Sequence, residues 1–259
     1  MSVTNINPFN KSFFQMFSDR LKKSNHRLTV YVNDASVENI HDLRTSIRRL
    51  VTIYQILPKQ LRKKKIKKFV KKYKTLFKSN GKIRDYDILF EKITSYGFSD
   101  PIFIQYLENQ RKKKLQSAIS QASDLLKFEV PNVLEKYDFI DEINLNFTNK
   151  CLDLILEIQT NLSAIIQDET KITELHSMRR TVKKLRYLLE LLPEDSILLL
   201  LENLKQLQVL LGDIHDNDMT IAFFQKKTKK FRSLESIIPL EKESRHANFK
   251  KLSFLQTRF

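Results

Sequence analysis

The chain has 259 residues, with 46 Lys or Arg against 30 Asp or Glu, and a formal charge of +16 at neutral pH. A chain this long buries roughly 70–75% of its unfolded surface without staples, and so large and uneven a basic surplus implies a polyanionic partner. The single cysteine, Cys151, excludes an intrachain disulfide and a cysteine-based zinc site, and no run approaches the ~18 apolar residues of a membrane span.

A reducing compartment, the cytoplasm, is therefore expected, with no membrane insertion. Met1 to Asn10 has neither the basic start nor the apolar run of an export signal. Only 3 Gly and 6 Pro interrupt the sequence, no alternating strand pattern of useful length occurs, and the expected fold class is all-α. Periodicity predicts helices over 8–31, 37–57, 60–79, 85–95 and 101–127, then 148–167, 172–192, 195–211, 216–231 and 235–257. Pro58, Gly81, Pro193 and Gly212 stand at the expected breaks, where such residues stop helices. Glu129 to Phe147 is weakly periodic and carries Pro131, Asp138, Asp141 and Glu142, so it is the expected connection between halves.

One segment occurs twice. His41-Asp42-Leu43-Arg44-Thr45-Ser46-Ile47-Arg48-Arg49-Leu50 is matched by His176-Ser177-Met178-Arg179-Arg180-Thr181-Val182-Lys183-Lys184-Leu185, an offset of 176 − 41 = 135. Leu57-Pro58 recurs as Leu192-Pro193 at the same offset. A second pattern, Gly-x-Ile-[Arg/His]-Asp-x-Asp, runs from Gly81 to Asp87 and again from Gly212 to Asp218, an offset of 212 − 81 = 131. The chain reads as a tandem duplication whose halves each supply an equivalent surface, with a site expected where the halves face each other.

At 100° per residue, Ile40, Leu43, Ile47, Leu50, Tyr54 and Leu57 form one apolar stripe, and His41, Arg44 and Arg48 form a second stripe bordering it. In the second copy, His176, Arg179, Lys183 and Arg186 border Leu175, Met178, Val182, Leu185 and Leu189. Basic groups beside a buried face have packed stems and restrained heads, which suits an anion site better than fully solvated lysines do. The next helix is denser in charge. Lys59 to Lys74 holds ten Lys or Arg and no acid, while Ile66, Phe69, Val70, Tyr73, Leu76 and Phe77 keep a core period, and Lys67, Lys71, Lys74 and Lys78 line up beside it. Counting back from the glycines, Lys74 corresponds to Lys205, and Lys71 to Glu202.

A single basic run is usually a solvated face, but two matched His-x-x-Arg-x-x-x-[Arg/Lys] stripes favour binding. His41 and His176 stay open between joining an anion site and bonding a neighbouring helix. Asp85 and Asp216 follow glycines and are expected to cap the next helices.

With these motifs in both halves, and Lys-Lys-x-Arg-Tyr-x-x-Glu from Lys183 to Glu190, the sequence resembles the CHAD family, the conserved histidine α-helical domain, over nearly its whole length. Val51 and Thr52 depart from the pattern of the second half. The resemblance implies a single domain over 1–259, built of helical repeats at 8–128 and 147–259 that are related by a pseudo-two-fold axis around a basic central cavity. It further implies non-enzymatic binding of inorganic polyphosphate, in the cytoplasm or at polyphosphate granules, alongside polyphosphate-metabolising enzymes. The residues carried over are His41, Arg44, Arg48, Arg49, Lys74, His176, Arg179, Lys183, Lys184, Arg186 and Lys205, with Lys67 and Lys71 added from helical geometry. By angle, Arg49 and Lys184 point away from the main stripe. The 18 Phe and 8 Tyr fall mostly at core positions and there is no Trp, so no set of base-stacking rings is evident.

Two other functions share part of this pattern. A sequence-independent nucleic-acid binder would use the same charges on phosphates, but no zinc finger or clear helix-turn-helix signal accompanies them. His41-Asp42 resembles the metal-binding doublet of HD phosphohydrolases, yet Ser177 follows His176, and no further His and Asp set at metal-site spacing is found. No catalytic residue, metal or cofactor is expected, and the motifs of the CYTH triphosphatase domain joined to many CHAD relatives are missing.

Overall fold

The computed structural model describes residues 9–133, 136–192 and 197–255, so the expected break at Pro193 lies outside the described residues. Eight α-helices are described: α1 Ser12–Asn33, α2 Val37–Ile56, α3 Lys64–Ser95, α4 Pro101–Leu126, α5 Ile140–Ile165, α6 Ile172–Leu189, α7 Leu198–Lys227 and α8 Ile238–Leu255. No strand occurs among the described residues, and the all-α class holds.

Two of the expected helix breaks do not exist. The runs at 60–79 and 85–95 are one helix, α3, and those at 195–211 and 216–231 are one helix, α7, with Gly81 and Gly212 in their interiors. Neither glycine has positive φ. A mid-helix glycine costs about 1 kcal/mol relative to alanine, but it does not end a helix when tertiary packing holds both flanks. Asp85 and Asp216 are consequently interior helix residues, not the N-caps expected of them.

The glycine that does stop α3 is Gly97, with φ 64°. Its N–H donates to the Thr94 carbonyl at 3.0 Å, and the Phe98 N–H reaches back to Ile93 at 2.9 Å. These are the two bonds of a Schellman cap, which satisfies carbonyls left open at a helix end.

The chain forms two compact units. Unit one is Met1–Arg84 with Arg111–Leu152, and unit two is Asp85–Gln110 with Asp153–Phe259. Residues 85–110, from the first half of the sequence, thus belong to unit two, and the segment from Glu129 to Phe147 lies inside unit one.

The predicted core stripes are buried: Ile40, Leu43, Ile47 and Leu50 on α2, Ile66, Phe69, Val70, Tyr73 and Leu76 on α3, and Leu175, Met178, Val182, Leu185 and Leu189 on α6. Each such side chain contributes roughly 1.5–3 kcal/mol through removal from water. Tyr54 and Phe77, also expected in the core, are only half-buried. In unit one, α1 packs Phe13, Phe14, Phe17, Leu21 and Leu28 inward, and the Asn144 side chain bonds both the N–H and the carbonyl of Phe9, at 2.9 and 3.1 Å. In unit two a separate apolar cluster joins Leu89, Ile93, Phe103 and Leu107 to Phe224, Phe231, Leu234 and Ile237.

Candidate functional site

In unit one the site begins on α2, whose first turn is capped by the Ser36 hydroxyl accepting from the Asn39 N–H at 3.3 Å. Because Leu43 and Ile47 are buried, Arg44 leaves the helix at the core border and reaches α3. Its Nη1 donates to the Phe77 carbonyl at 2.8 Å, and its guanidinium carbon lies 4.3 Å from the centre of the Phe77 ring. A Cβ at Gly81 would stand 3.3 Å from that Nη1. Gly81 is therefore the space into which the arginine head fits, which explains a glycine inside a helix.

Unit two repeats the relation with a looser fit. Arg179 on α6 lies against Gly212 on α7, its Nε 3.9 Å from where a Cβ would be. Three residues earlier on α6, the His176 ring meets the ring of His215 edge to face, with centroids 4.4 Å apart. Both pairs sum to 391 (179 + 212 and 176 + 215), which defines an antiparallel register for α6 and α7. The same register sets Lys183 level with Gln208, and Arg186 level with Lys205. Four rungs of one seam thus carry His176, Arg179, Lys183, Arg186 and Lys205, five of the predicted site residues of this unit.

An ion-pair chain leads from this seam, nearly buried at Asp218 and Arg245 and open to solvent at His246. Asp218 receives a hydrogen bond from Arg245 Nε at 2.5 Å through one oxygen and holds His176 Nε2 at 2.9 Å through the other. Arg245 also donates Nη2 to the Glu169 carbonyl at 2.7 Å, and Glu169 holds His246 at 3.0 Å. Burial alone would raise the Asp218 pKa, but the bonds and charges of His176 and Arg245 hold it below the ordinary carboxylate range. Burial lowers the Arg179 pKa from the ordinary arginine value, against the opposing pull of Asp216, Tyr187 and Asp85. The Nε atoms of Arg179 and Arg186 and the Nδ1 of His215 are buried with no hydrogen-bond partner among the described residues. Arg186 is steadied by Glu190 at 3.4 Å and by the Tyr187 ring, 4.8 Å away.

The remaining predicted residues divide by exposure. Arg48 and Arg49 are half-buried on α2, although helical angle had placed Arg49 away from the stripe, and Lys183 is half-buried on α6. His41, Lys67, Lys71, Lys74, Lys184 and Lys205 are exposed. Lys74 lies 5.8 Å from the Tyr54 ring, and the Asp42 carboxylate beside His41 is paired with Arg27 at 2.8 Å. Sequence reasoning passed over Lys68 and Lys72, which sit 5.0 and 3.8 Å from the Phe128 ring. It also passed over the roles of His215, Asp218 and Arg245. His215 and Asp218 were visible as positions of the repeated Gly-x-Ile-x-Asp-x-Asp pattern, whereas Arg245 carries no sequence signal at all. Among the described residues no three His, Cys, Asp or Glu are grouped to hold a metal, and no described helix is long and apolar enough to cross a membrane.

A family model described as CHAD domain matches residues 15–225. The fold is similar to the crystal structure of the CHAD domain from the plant Ricinus communis, at 15% sequence identity and a TM-score of 0.54, covering 94% of this chain and 86% of that one. No curated protein sequence matches.

Proposed function

This chain belongs to the CHAD domain family, and we propose that it is a non-enzymatic protein that binds inorganic polyphosphate through its repeated basic helices. The observation that carries the reading is the pairing of Arg44 with Gly81 and of Arg179 with Gly212, which holds one restrained, partly buried guanidinium in each unit. A guanidinium fixed before its ligand arrives loses little freedom on binding and offers a planar fork to phosphate oxygens. His41, Arg48, Arg49 and the Lys67, Lys71 and Lys74 row extend the first stripe, and His176, Lys183, Lys184, Arg186 and Lys205 the second.

Polyphosphate carries charge on every unit and no bases, so it rewards dense cations without ring platforms. A long chain of phosphates can engage the stripe of each repeat in turn, raising affinity by multivalency. The two-fold relation of the repeats and the shared basic cavity implied by the family belong to the same proposal, as do the absence of catalysis and residence in the cytoplasm or at polyphosphate granules.

The test is competition for a fluorescent long-chain polyphosphate by short oligophosphates, RNA and duplex DNA, at matched phosphate and two salt concentrations. Polyphosphate should win and keep its lead at the higher salt. Equal competition by RNA or DNA, with all binding lost in salt, would replace this reading by general polyanion binding.

A further inference from the structure

His215 stands apart from every other histidine of the chain. It projects from α7 into the α6–α7 seam, edge-on to His176, one helical turn from Gly212 and the Arg179 that fills the gap there. Its Nδ1 is buried and has no hydrogen-bond partner among the described residues. Nothing in the ion-pair chain uses it, because Asp218 is already engaged by His176 and Arg245.

The charges around it are unbalanced. From α6 it faces Arg179, Lys183 and His176; from its own helix Asp218 opposes them, and from α8 the Arg245 cation is spent on that same Asp218. Asp216 and Asp85 act on Arg179. Burial first, then Arg179 and His176, push the His215 pKa down from 6.5 to about 4. The imidazole is therefore neutral at neutral pH, held so by burial first and then by Arg179 and Lys183 of the proposed anion site.

We infer that His215 is the proton-accepting member of the anion site in unit two, so that a polyphosphate segment bound at Arg179 and Lys183 is taken up together with a proton on this ring. This rests on the function proposed above and adds its pH dependence. Phosphate oxygens beside Arg179 and Lys183 cancel the field that opposes protonation, and by linkage a ligand that raises a group's proton affinity is itself bound more tightly as pH falls. The proton comes from solvent, and the charged ring supplies an N–H donor where the neutral one has an unused nitrogen.

The experiment is an NMR titration of the histidine ring signals of the full chain, with and without saturating long-chain polyphosphate, the His215 signals being assigned from a His215→Gln variant. The His215 midpoint should rise on binding from about 4 to about 6.5. A rise of that size tightens wild-type affinity about tenfold between pH 7.5 and 5.5, and His215→Gln should lose most of that gain. A control variant at the exposed His26, in unit one, should keep it. A His215 midpoint unmoved by bound polyphosphate overturns the inference and leaves the proposed function standing. So does a His215→Gln variant with the full pH dependence. Absence of polyphosphate binding at either pH overturns both.

Discussion

Arg44 and Gly81 fit together as head and socket: the guanidinium Nη1 lies 3.3 Å from where the first side-chain carbon of an alanine would stand, and the Phe77 carbonyl and ring hold it there from the other sides. In unit two the same pair, Arg179 and Gly212, leaves ordinary contact distance, 3.9 Å. This difference makes the two repeats respond differently to one substitution. Gly212→Ala should stabilise α7 by ~0.5–1 kcal/mol through helix propensity alone. Gly81→Ala should give no such gain, because displacing a clamped arginine offsets it, and should weaken polyphosphate binding. Urea denaturation of both variants, with binding measured on each, checks the asymmetry.

Replacing Arg44, Arg48, Arg179 and Arg186 together with Gln should reduce polyphosphate affinity at least ~30-fold while circular dichroism shows the helices intact. Replacing Lys63, Lys64 and Lys65, all exposed, should cost under about threefold, since solvated lysines contribute weak, screened attraction. Equal losses from the two sets would mean that net charge, not the restrained stripe, sets affinity.

Asp218 is the pivot of the buried chain joining α6, α7 and α8. Asp218→Ala leaves the Arg245 cation buried without its carboxylate and should destabilise the protein by ~3–5 kcal/mol. Adding Arg245→Met to that variant should recover part of the loss, since the orphaned charge goes with it. A double-mutant cycle in urea measures the coupling.

A second buried carboxylate, Glu241, accepts from Tyr96 and Asn217 at 2.5 Å each and pairs with Lys92 at 2.8 Å. Burial, followed by the bond to Glu241, pushes the Tyr96 pKa up, so its phenol stays protonated and donating. Glu241→Gln should cost about 3 kcal/mol, whereas Tyr96→Phe should cost less, because the carboxylate keeps its other partners. Thermal melts of the two variants rank them.

The pH dependence of stability follows from two groups with separate windows. His215 has a folded pKa of about 4 against an ordinary 6.5. Between those values the unfolded chain binds a proton that the folded one refuses, so stability falls as pH drops from 6.5 toward 4. Asp218, held below the ordinary carboxylate value of 3.8, contributes stability that is lost only at still lower pH. Melting temperature should therefore fall between pH 7 and pH 5 in the wild type, and fall less in His215→Gln.

Much was legible before any coordinates. Ile40, Leu43, Ile47 and Leu50 recur at helical spacing and are buried, as are their counterparts Leu175, Met178, Val182 and Leu185. Arg44, Arg48, Arg179 and Lys183 were placed beside those stripes by angle alone, and they are half-buried there. The glycines were misread because a rule about single helices treats glycine as a stop, whereas Gly81 and Gly212 answer to an arginine on another helix.

The order of residues by itself determined the helical class, the faces of α2 and α6 and the doubled basic pattern, since periodicity and composition act within one segment. Only tertiary structure decided that residues 85–110 pack in unit two, that Asp218 joins His176 to Arg245, and that His215 is half-buried beside cations. Those facts depend on which helices meet and in what register, and no segment carries that information within its own sequence.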